Sequence, residues 1–341
     1  MSRAGPLGAF GAVALRPASW TFGAAVALRN ARFDRGAGVR RLPIPVISIG
    51  NLTVGGTGKT PMVAHVVDLL RRAGHRPAIA MRGYAARPGE TSDEAREYAV
   101  AVPGTSVIAD PDRYAAVSRF LAQRPDAIDC AVLDDGFQHR ALARDLDVVL
   151  VDATRPALDG PLLPAGWLRE PASGLRRASA VVVTRADRVD EALARRIAEL
   201  HGRPPIAWCR HAWRGVSVHA RGAVEPHDVA WLRGKRVLGV FGVGNPSSVR
   251  AEFERAGATV VVDAAVGDHA RHSARDLARW AARVRGEGLD AIVTTRKDWS
   301  KLAPLASRET PTIVVPELAI EFTGGEAEFS RLVLDSAESR R

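Results

Sequence analysis

Lys59 and Thr60 close the run Thr53-Val54-Gly55-Gly56-Thr57-Gly58-Lys59-Thr60. A lysine and a hydroxyl directly after a glycine-rich stretch can hold a polyphosphate. Small glycines let backbone N–H groups curl around phosphate oxygens, the lysine reaches the terminal phosphates, and the threonine hydroxyl ligates Mg²⁺. The first glycine of the usual G-x-x-x-x-G-K-[ST] pattern falls on Thr53, while the core Gly55–Thr60 is intact. Dimeric ATPases carry a signature lysine just before the paired glycines; here that place is Val54. The loop points to a nucleoside triphosphate, with a glycine-rich turn that binds nothing as the bland alternative.

A second group of residues supplies acids. Leu133-Asp134-Asp135-Gly136-Phe137-Gln138-His139 follows an apolar run. An Asp at the end of such a strand is the expected Mg²⁺ partner of a phosphate loop, and carboxylate oxygens suit a hard cation that keeps some of its waters. Asp93-Glu94 and Asp268-His269 are weaker signals. Asp-Glu at a helix start is favoured by the helix dipole alone, and a lone Asp-His is ordinarily surface. Transfer to a hydroxyl does need a proton acceptor, and Asp aided by His is a usual choice. Arg82 and Arg113 could neutralise phosphate charge, or belong to a solvated face.

These residues need a frame. Val46–Ile49 reads as a buried strand before the loop, and Met62–Ala73 as a helix after it. Further strands are expected at Ala78–Met81, Thr105–Ala109, Ile128–Leu133, Leu146–Val151 and Ser179–Thr184, and a helix at Arg113–Gln123. Ser92 looks like the cap of a helix opening at Asp93. Near-continuous Val/Ile runs alternating with helices imply a parallel sheet covered on both faces. A second such series runs through strands at Val237–Val243, Thr259–Val262, Ala291–Thr295 and Thr312–Val315, with helices at Ser248–Gly257 and Ala274–Arg285. Between about residues 205 and 235 the chain turns rich in Pro, His and Trp, which marks a domain boundary. Ligands in such folds gather at the carboxyl ends of strands, where the loop and the acids fall.

The chain has 341 residues and a net charge of +10. Its two cysteines, Cys130 and Cys209, stand far apart, which fits a reduced compartment and no disulfide scaffold. Arg-rich, Lys-poor usage can reflect a GC-rich genome. The other readings of the charge are an acidic substrate, an anionic membrane or nucleic acid. No Arg-rich helix with interleaved aromatics and no zinc-finger spacing appears, so no nucleic-acid partner is expected.

Residues 4–15 and 17–28 are mostly apolar runs split by Arg16. Neither reaches the length of about 18 residues that a spanning helix needs. Arg3, Arg16, Arg29, Arg32, Arg35, Arg40 and Arg41 flank them. An apolar face with an arginine collar suits a helix lying on an anionic membrane surface. An ordinary docking helix, and a signal peptide with Ala12-Val13-Ala14 as its cleavage site, are the alternatives.

With these pieces in view, the chain resembles the tetraacyldisaccharide 4′-kinase family over roughly residues 10–305. The matching motifs are Pro45–Pro61, Arg82-Gly83-Tyr84, Asp93-Glu94, Asp112-Arg113, Asp134–His139, Arg144-Asp145-Leu146, Leu163–Pro171, Phe241–Pro246 and Asp268-His269. Departures include Thr295-Arg296-Lys297-Asp298, where the family has Glu at the second place, and Ala270-Arg271 after Asp-His. The resemblance implies ATP, Mg²⁺, and an acylated glucosamine disaccharide 1-phosphate reached at the cytoplasmic face of the bacterial inner membrane. It implies phosphate and metal binding by Lys59 and Thr60 and metal binding by Asp134 and Asp135. It also implies Asp93 as base, tuned by His269, with Glu94, Arg113 and Gln138 lining the site.

The expected architecture is therefore an N-terminal membrane-surface helical segment (residues 1–42), a P-loop NTPase-like parallel-sheet kinase domain (43–225) and a smaller second α/β domain (226–335) that closes over the nucleotide. No obligate protein partner is implied. Two other classes compete: a GTPase-type switch or metallochaperone, cued by Thr184-Arg185-Ala186-Asp187, which loosely mimics a guanine-reading [NT]-K-x-D, and a non-catalytic membrane nucleotide binder.

Overall fold

The structure, a computed structural model, describes residues 15–83, 93–243, 246–262 and 272–340. Contacts divide the chain into two compact units. The first holds Met1–Gly83, Val102–His211 and Ile320–Arg341; the second holds Tyr84–Ala101 and Ala212–Ala319.

The first unit begins with α1 (Arg16–Asp34), β1 (Val46–Asn51), α2 (Lys59–Arg72) and β2 (Pro77–Met81). After α3 (Asp93–Ala101), which belongs to the second unit, it resumes with β3 (Ser106–Ala109), α4 (Arg113–Gln123) and β4 (Cys130–Asp134). β5 (Leu146–Asp152), β6 (Ala180–Thr184) and α5 (Glu191–His201) follow. β7 (Ala207–Ala220) leads into the second unit, which contains β8 (Ala223–His227), β9 (Arg236–Val240), α6 (Pro246–Arg255), β10 (Thr259–Val262), α7 (Ala274–Gly286), β11 (Ala291–Thr294) and α8 (Arg296–Leu302). β12 (Ile313–Gly324) leads back, and α9 (Glu326–Glu338) is the last helix.

In the first unit the strand order is β7-β6-β5-β1-β4-β2-β3, and each adjacent pair is parallel. Every residue of β1 and β5 is buried, as the apolar runs require when helices cover both faces of a sheet. α2 turns Met62, Val63, Val66, Val67 and Leu70 inward, the spacing of a single helix face. The register sets Ile49 opposite Asp134, so the loop after β1 and the acids after β4 emerge side by side. This is the P-loop NTPase-like layout expected from the sequence.

In the second unit β10, β9, β11 and β12 pair in parallel, and β7 with β8 forms an antiparallel hairpin. Trp280, Tyr98 and Phe253 are its largest fully buried side chains. α3 lies against α8. A capping box at Ser273 and Asp276 starts α7.

Two strands exceed their sequence expectation. β12 runs to Gly324 instead of ending near Val315, and β7 occupies part of the Pro-, His- and Trp-rich stretch where no strand was expected. Both are interrupted by charged residues. Their partners are across the pair: Arg214 bonds Glu317 at 3.1 Å in the second unit, and Arg210 bonds Glu321 at 2.7 Å in the first. Cross-strand charge pairs make such segments acceptable as strands, and no single segment reveals them.

Candidate active site

The loop after β1 holds its shape through two glycines in the left-handed region, Gly55 at φ 104° and Gly58 at φ 84°. A side chain at Gly58 is barred by more than strain. Its Cβ would stand 2.4 Å from Nε2 of His211. Gly58 is also the N-cap of α2, and no side chain caps that helix. The first N–H groups are thus available to an anion.

Lys59 leads α2 back across the loop. Its Nζ donates to Asn51 Oδ1 at 3.2 Å and stands 3.5 Å from Asp135 Oδ1. Arg169 grips the same Asp135 carboxylate with both terminal nitrogens, at 2.6 and 2.7 Å, and also donates to Asn51 Oδ1. Burial alone would raise the Asp135 pKa, but the bonds from Arg169 and the charges of Lys59 and Arg169 hold it below its ordinary value. Arg169 reaches this place because its segment pairs with the loop. Arg169 N donates to Leu52 O at 2.8 Å, and Val54 N to Trp167 O at 2.9 Å.

Gln138 joins the acids to this segment. Its Nε2 donates to Asn51 O at 2.9 Å and to Glu170 Oε1 at 2.8 Å. Glu170 is fully buried and also accepts from Arg177 at 2.8 Å. The charge of a buried carboxylate needs such partners.

On the opposite side of the loop, Thr184 at the end of β6 donates from Oγ1 to Thr57 O at 2.9 Å. Arg185 follows with φ 54°, and its Nη1 bonds the buried Asp152 at 2.6 Å. His211 lies on this side too. Burial, then the nearby Arg185, pushes its pKa down to about 4, against the pull of Asp152.

The structure thus gathers Thr53–Thr60, Asp134, Asp135 and Gln138 in one place. Arg113 is buried at the start of α4, where its charge bears on His139. Burial, then Arg113 and Arg144, lowers the His139 pKa to about 4. The neighbouring Asp112 is the α4 N-cap: it accepts from Ala115 N at 3.0 Å and from Arg40 at 2.7 and 2.8 Å. Arg82 is exposed just past β2. Asp93 and Glu94 open α3 in the second unit, with Glu94 exposed; the Asp93 side chain, Asp268 and His269 lie outside the described part. Asn51, Arg169, Glu170 and His211 were not among the sequence candidates, and Arg185 entered only as part of the guanine-reading look-alike Thr184-Arg185-Ala186-Asp187. Asn51, Arg169 and Glu170 do stand inside matched motifs, which was the available signal.

Asp298, of the Thr-Arg-Lys-Asp motif, has a role within the second unit. Fully buried, it accepts from Gly242 N at 2.9 Å and Thr295 Oγ1 at 2.7 Å, with His272 Nε2 at 3.3 Å. Burial opposes its charge, but these partners hold its pKa below the ordinary value. The motif's acid therefore pins the loop after β9.

Helix α1 docks on the first unit. Ser19 Oγ donates to Leu162 O and accepts from Ala165 N, each at 3.0 Å. Asn30 Nδ2 donates to Glu170 Oε2 at 3.3 Å, and Arg140 bonds Asp34 at 2.5 Å. Its outer side leaves Trp20 and Leu28 exposed at 74% and 75%. Among the described residues no helix is long and apolar enough to cross a membrane.

The donor set fits a Mg²⁺-nucleotide. Thr57 Oγ1 is buried with no hydrogen-bond partner among the described residues. Gly55 and Gly58 supply the left-handed backbone that curls the loop, and Thr60 and two aspartates offer hard oxygen ligands.

The family model described as tetraacyldisaccharide-1-P 4′-kinase, LpxK, matches residues 11–338. The tetraacyldisaccharide 4′-kinase of Anaeromyxobacter dehalogenans is 40% identical over 326 residues, covering 89% of this chain and 84% of that protein. That of Geobacter metallireducens is 39% identical over 304 residues, covering 83% and 87%. Among solved structures, LpxK from Aquifex aeolicus in complex with ATP superposes with a TM-score of 0.72 at 27% identity, covering 95% of this chain and 99% of that one. On these matches and on the site just described, the chain belongs to the tetraacyldisaccharide-1-P 4′-kinase family.

Proposed function

We propose that this protein transfers the γ-phosphate of ATP to the 4′-hydroxyl of tetraacyldisaccharide 1-phosphate, giving lipid IV(A) in lipid A biosynthesis. The observation that carries the residue roles is the convergence of Lys59 and Arg169 on Asp135, at the mouth of the loop. Two cations and a carboxylate in a partly buried site are the means to position and neutralise a polyphosphate. In phosphoryl transfer that is most of the catalytic task, because the transition state is loose.

In this reading the loop Thr53–Gly58, through its amides from Gly55 onward, and the uncapped start of α2 cradle the phosphates. Lys59 holds the terminal phosphates, and Gln138 keeps Asn51 and Glu170 in place behind them. When bound, Mg²⁺ neutralises charge on the phosphate oxygens; Thr60, Asp134 and Asp135 would hold it. Asp93 takes the proton of the sugar hydroxyl, aided by His269. Glu94 and Arg113 support the nucleotide side, Arg113 through the region of His139.

The substrate carries long acyl chains, so the protein works at a membrane surface. The exposed Trp20 and Leu28 of α1, with Arg16, Arg29, Arg32 and Arg35 near them, support attachment to an anionic leaflet. We place that surface at the cytoplasmic face of the inner membrane, where ATP is available.

The test is transfer of labelled γ-phosphate to tetraacyldisaccharide 1-phosphate in detergent micelles, with Mg²⁺ or with a chelator. Mg²⁺-dependent label in the lipid is expected. Nucleotide binding without any labelled lipid would refute the kinase reading.

A further inference from the structure

The phosphate loop and its acids sit at the carboxyl ends of the strands. The amino ends of β2 and β4, at the opposite end of the same sheet, hold a second group of chemically active side chains. His75 lies in the turn between α2 and β2, and Asp129 and Cys130 open β4. The backbone fixes both segments. Pro77 stands opposite Cys130 in the parallel register. Arg76 N donates to Asp129 Oδ1 at 2.8 Å, and Asp129 N to Arg76 O at 3.1 Å. His75 N donates to Leu70 O at 3.0 Å, which ties the turn to the helix.

One ligand atom from each of these three residues lies within 4.8 Å of the other two. Cys130 is fully buried, the His75 side chain is 2% exposed and the Asp129 side chain 19%. With Oδ1 held by Arg76 N, Asp129 turns Oδ2 toward His75 Nδ1, at 3.5 Å. That is longer than the roughly 2.7–3.2 Å of an N–H···O bond. It is the spacing of two atoms that share an ion, because bonds of about 2.0–2.3 Å in a tetrahedral site set the ligand atoms roughly 3.3–3.5 Å apart. A thiolate, an imidazole and a carboxylate together suit Zn²⁺. Mg²⁺ prefers oxygen ligands alone.

We propose that His75, Asp129 and Cys130 bind one Zn²⁺, with water in the fourth position on the side where Asp129 meets solvent. The Cys130 thiol gives its proton to solvent as the Zn–S bond forms, so binding strengthens as pH rises. His75 binds through a neutral Nδ1, which leaves the ring proton on Nε2. The ion is structural: it joins the turn after α2 to the starts of β2 and β4. β4 has five residues, and its four rises of about 3.3 Å carry it roughly 13 Å from Cys130 to Asp134. The site is therefore separate from the Mg²⁺ assigned to the phosphate loop, and the inference does not depend on the kinase reading.

The experiment is titration of the reduced, metal-stripped full chain with Co²⁺ in excess Mg²⁺, followed by absorption. Mg²⁺ competes for the oxygen ligands at the loop, and only a site with a thiolate gives sulfur-to-cobalt charge-transfer absorption in the near ultraviolet. One equivalent of Co²⁺ is expected to produce that band, and Zn²⁺ to abolish it and raise Tm. Cys130→Ser should lose the band. Cys209→Ser should keep it, because burial pushes the Cys209 thiol up to about 12 and it stays protonated. Asp129→Asn, at the partly exposed ligand, should weaken Co²⁺ binding by about tenfold or more, at least the cost of losing an outer partner of a metal. That variant carries the test if Cys130→Ser fails to fold. No charge-transfer band in the wild type, a band that survives Cys130→Ser, or an unchanged Co²⁺ affinity in Asp129→Asn overturns the inference.

Discussion

Arg169 closes on Asp135 with two bonds of 2.6 and 2.7 Å, although the residues are separated by 34 positions in the chain. With Lys59 at 3.5 Å, the acid assigned to Mg²⁺ already carries two positive neighbours. A metal ion must share that carboxylate with them.

Arg169→Ala removes one of these competitors and one phosphate-neutralising charge. Turnover should fall about 10²-fold, the usual cost of losing one transition-state donor, while the Mg²⁺ concentration for half-maximal rate shifts downward. A Mg²⁺ titration of the transfer rate in both proteins checks the sign. A shift upward would mean that Arg169 helps to build the metal site.

Asp93→Ala should leave nucleotide affinity near the wild-type value and cut turnover by about 10²- to 10⁴-fold, the range for a lost general base. Displacement of a fluorescent ATP analogue and steady-state transfer, measured together, separate the two effects. Loss of nucleotide affinity alone would make Asp93 a nucleotide ligand.

Stability should fall as the solution is acidified well before the carboxylates titrate. His211 accepts a proton near its ordinary 6.5 when unfolded but only near about 4 when folded. Between those values the unfolded chain binds more protons, so stability is lost as pH drops through that window and levels off below it. Arg185 opposes protonation of His211 and Asp152 favours it. The loss from this group is at most about 3 kcal/mol, and His139 adds to it in the same direction. Urea midpoints across the window should show the slope, and His211→Gln should reduce it to the part that His139 contributes.

Asp298→Ala strands the Gly242 N–H, the Thr295 hydroxyl and His272 in a buried place. We expect a loss of about 3 kcal/mol, with faster amide exchange confined to the second unit. Exchange that rises equally in both units would show that Asp298 does not act locally.

Replacing both Trp20 and Leu28 by Ser should weaken sedimentation with anionic vesicles about tenfold or more, since each exposed apolar side chain contributes roughly 1.5–3 kcal/mol when buried. Ser19 and Asn30 keep α1 docked in that variant. Unchanged sedimentation would remove α1 as the membrane contact.

The sequence by itself determined the local pieces. The glycines, Lys59 and Thr60 announced a phosphate loop because φ, charge and hydroxyl chemistry are properties of adjacent residues. The apolar runs of β1, β4, β5 and β6 announced a parallel sheet because burial on both faces leaves an uninterrupted signature. The Asp134-Asp135 pair was legible for the same reason. Only the tertiary structure decided what the loop faces. Arg169 meets Asp135, His211 fills the space that Gly58 leaves, and Thr184 bonds Thr57 O, in each case across long stretches of chain. Strands β7 and β12 became legible only once Arg214 found Glu317 and Arg210 found Glu321, because a charged residue in a strand is acceptable or not according to what stands opposite. Such pairings depend on sheet order and register, which are set when the whole apolar core closes.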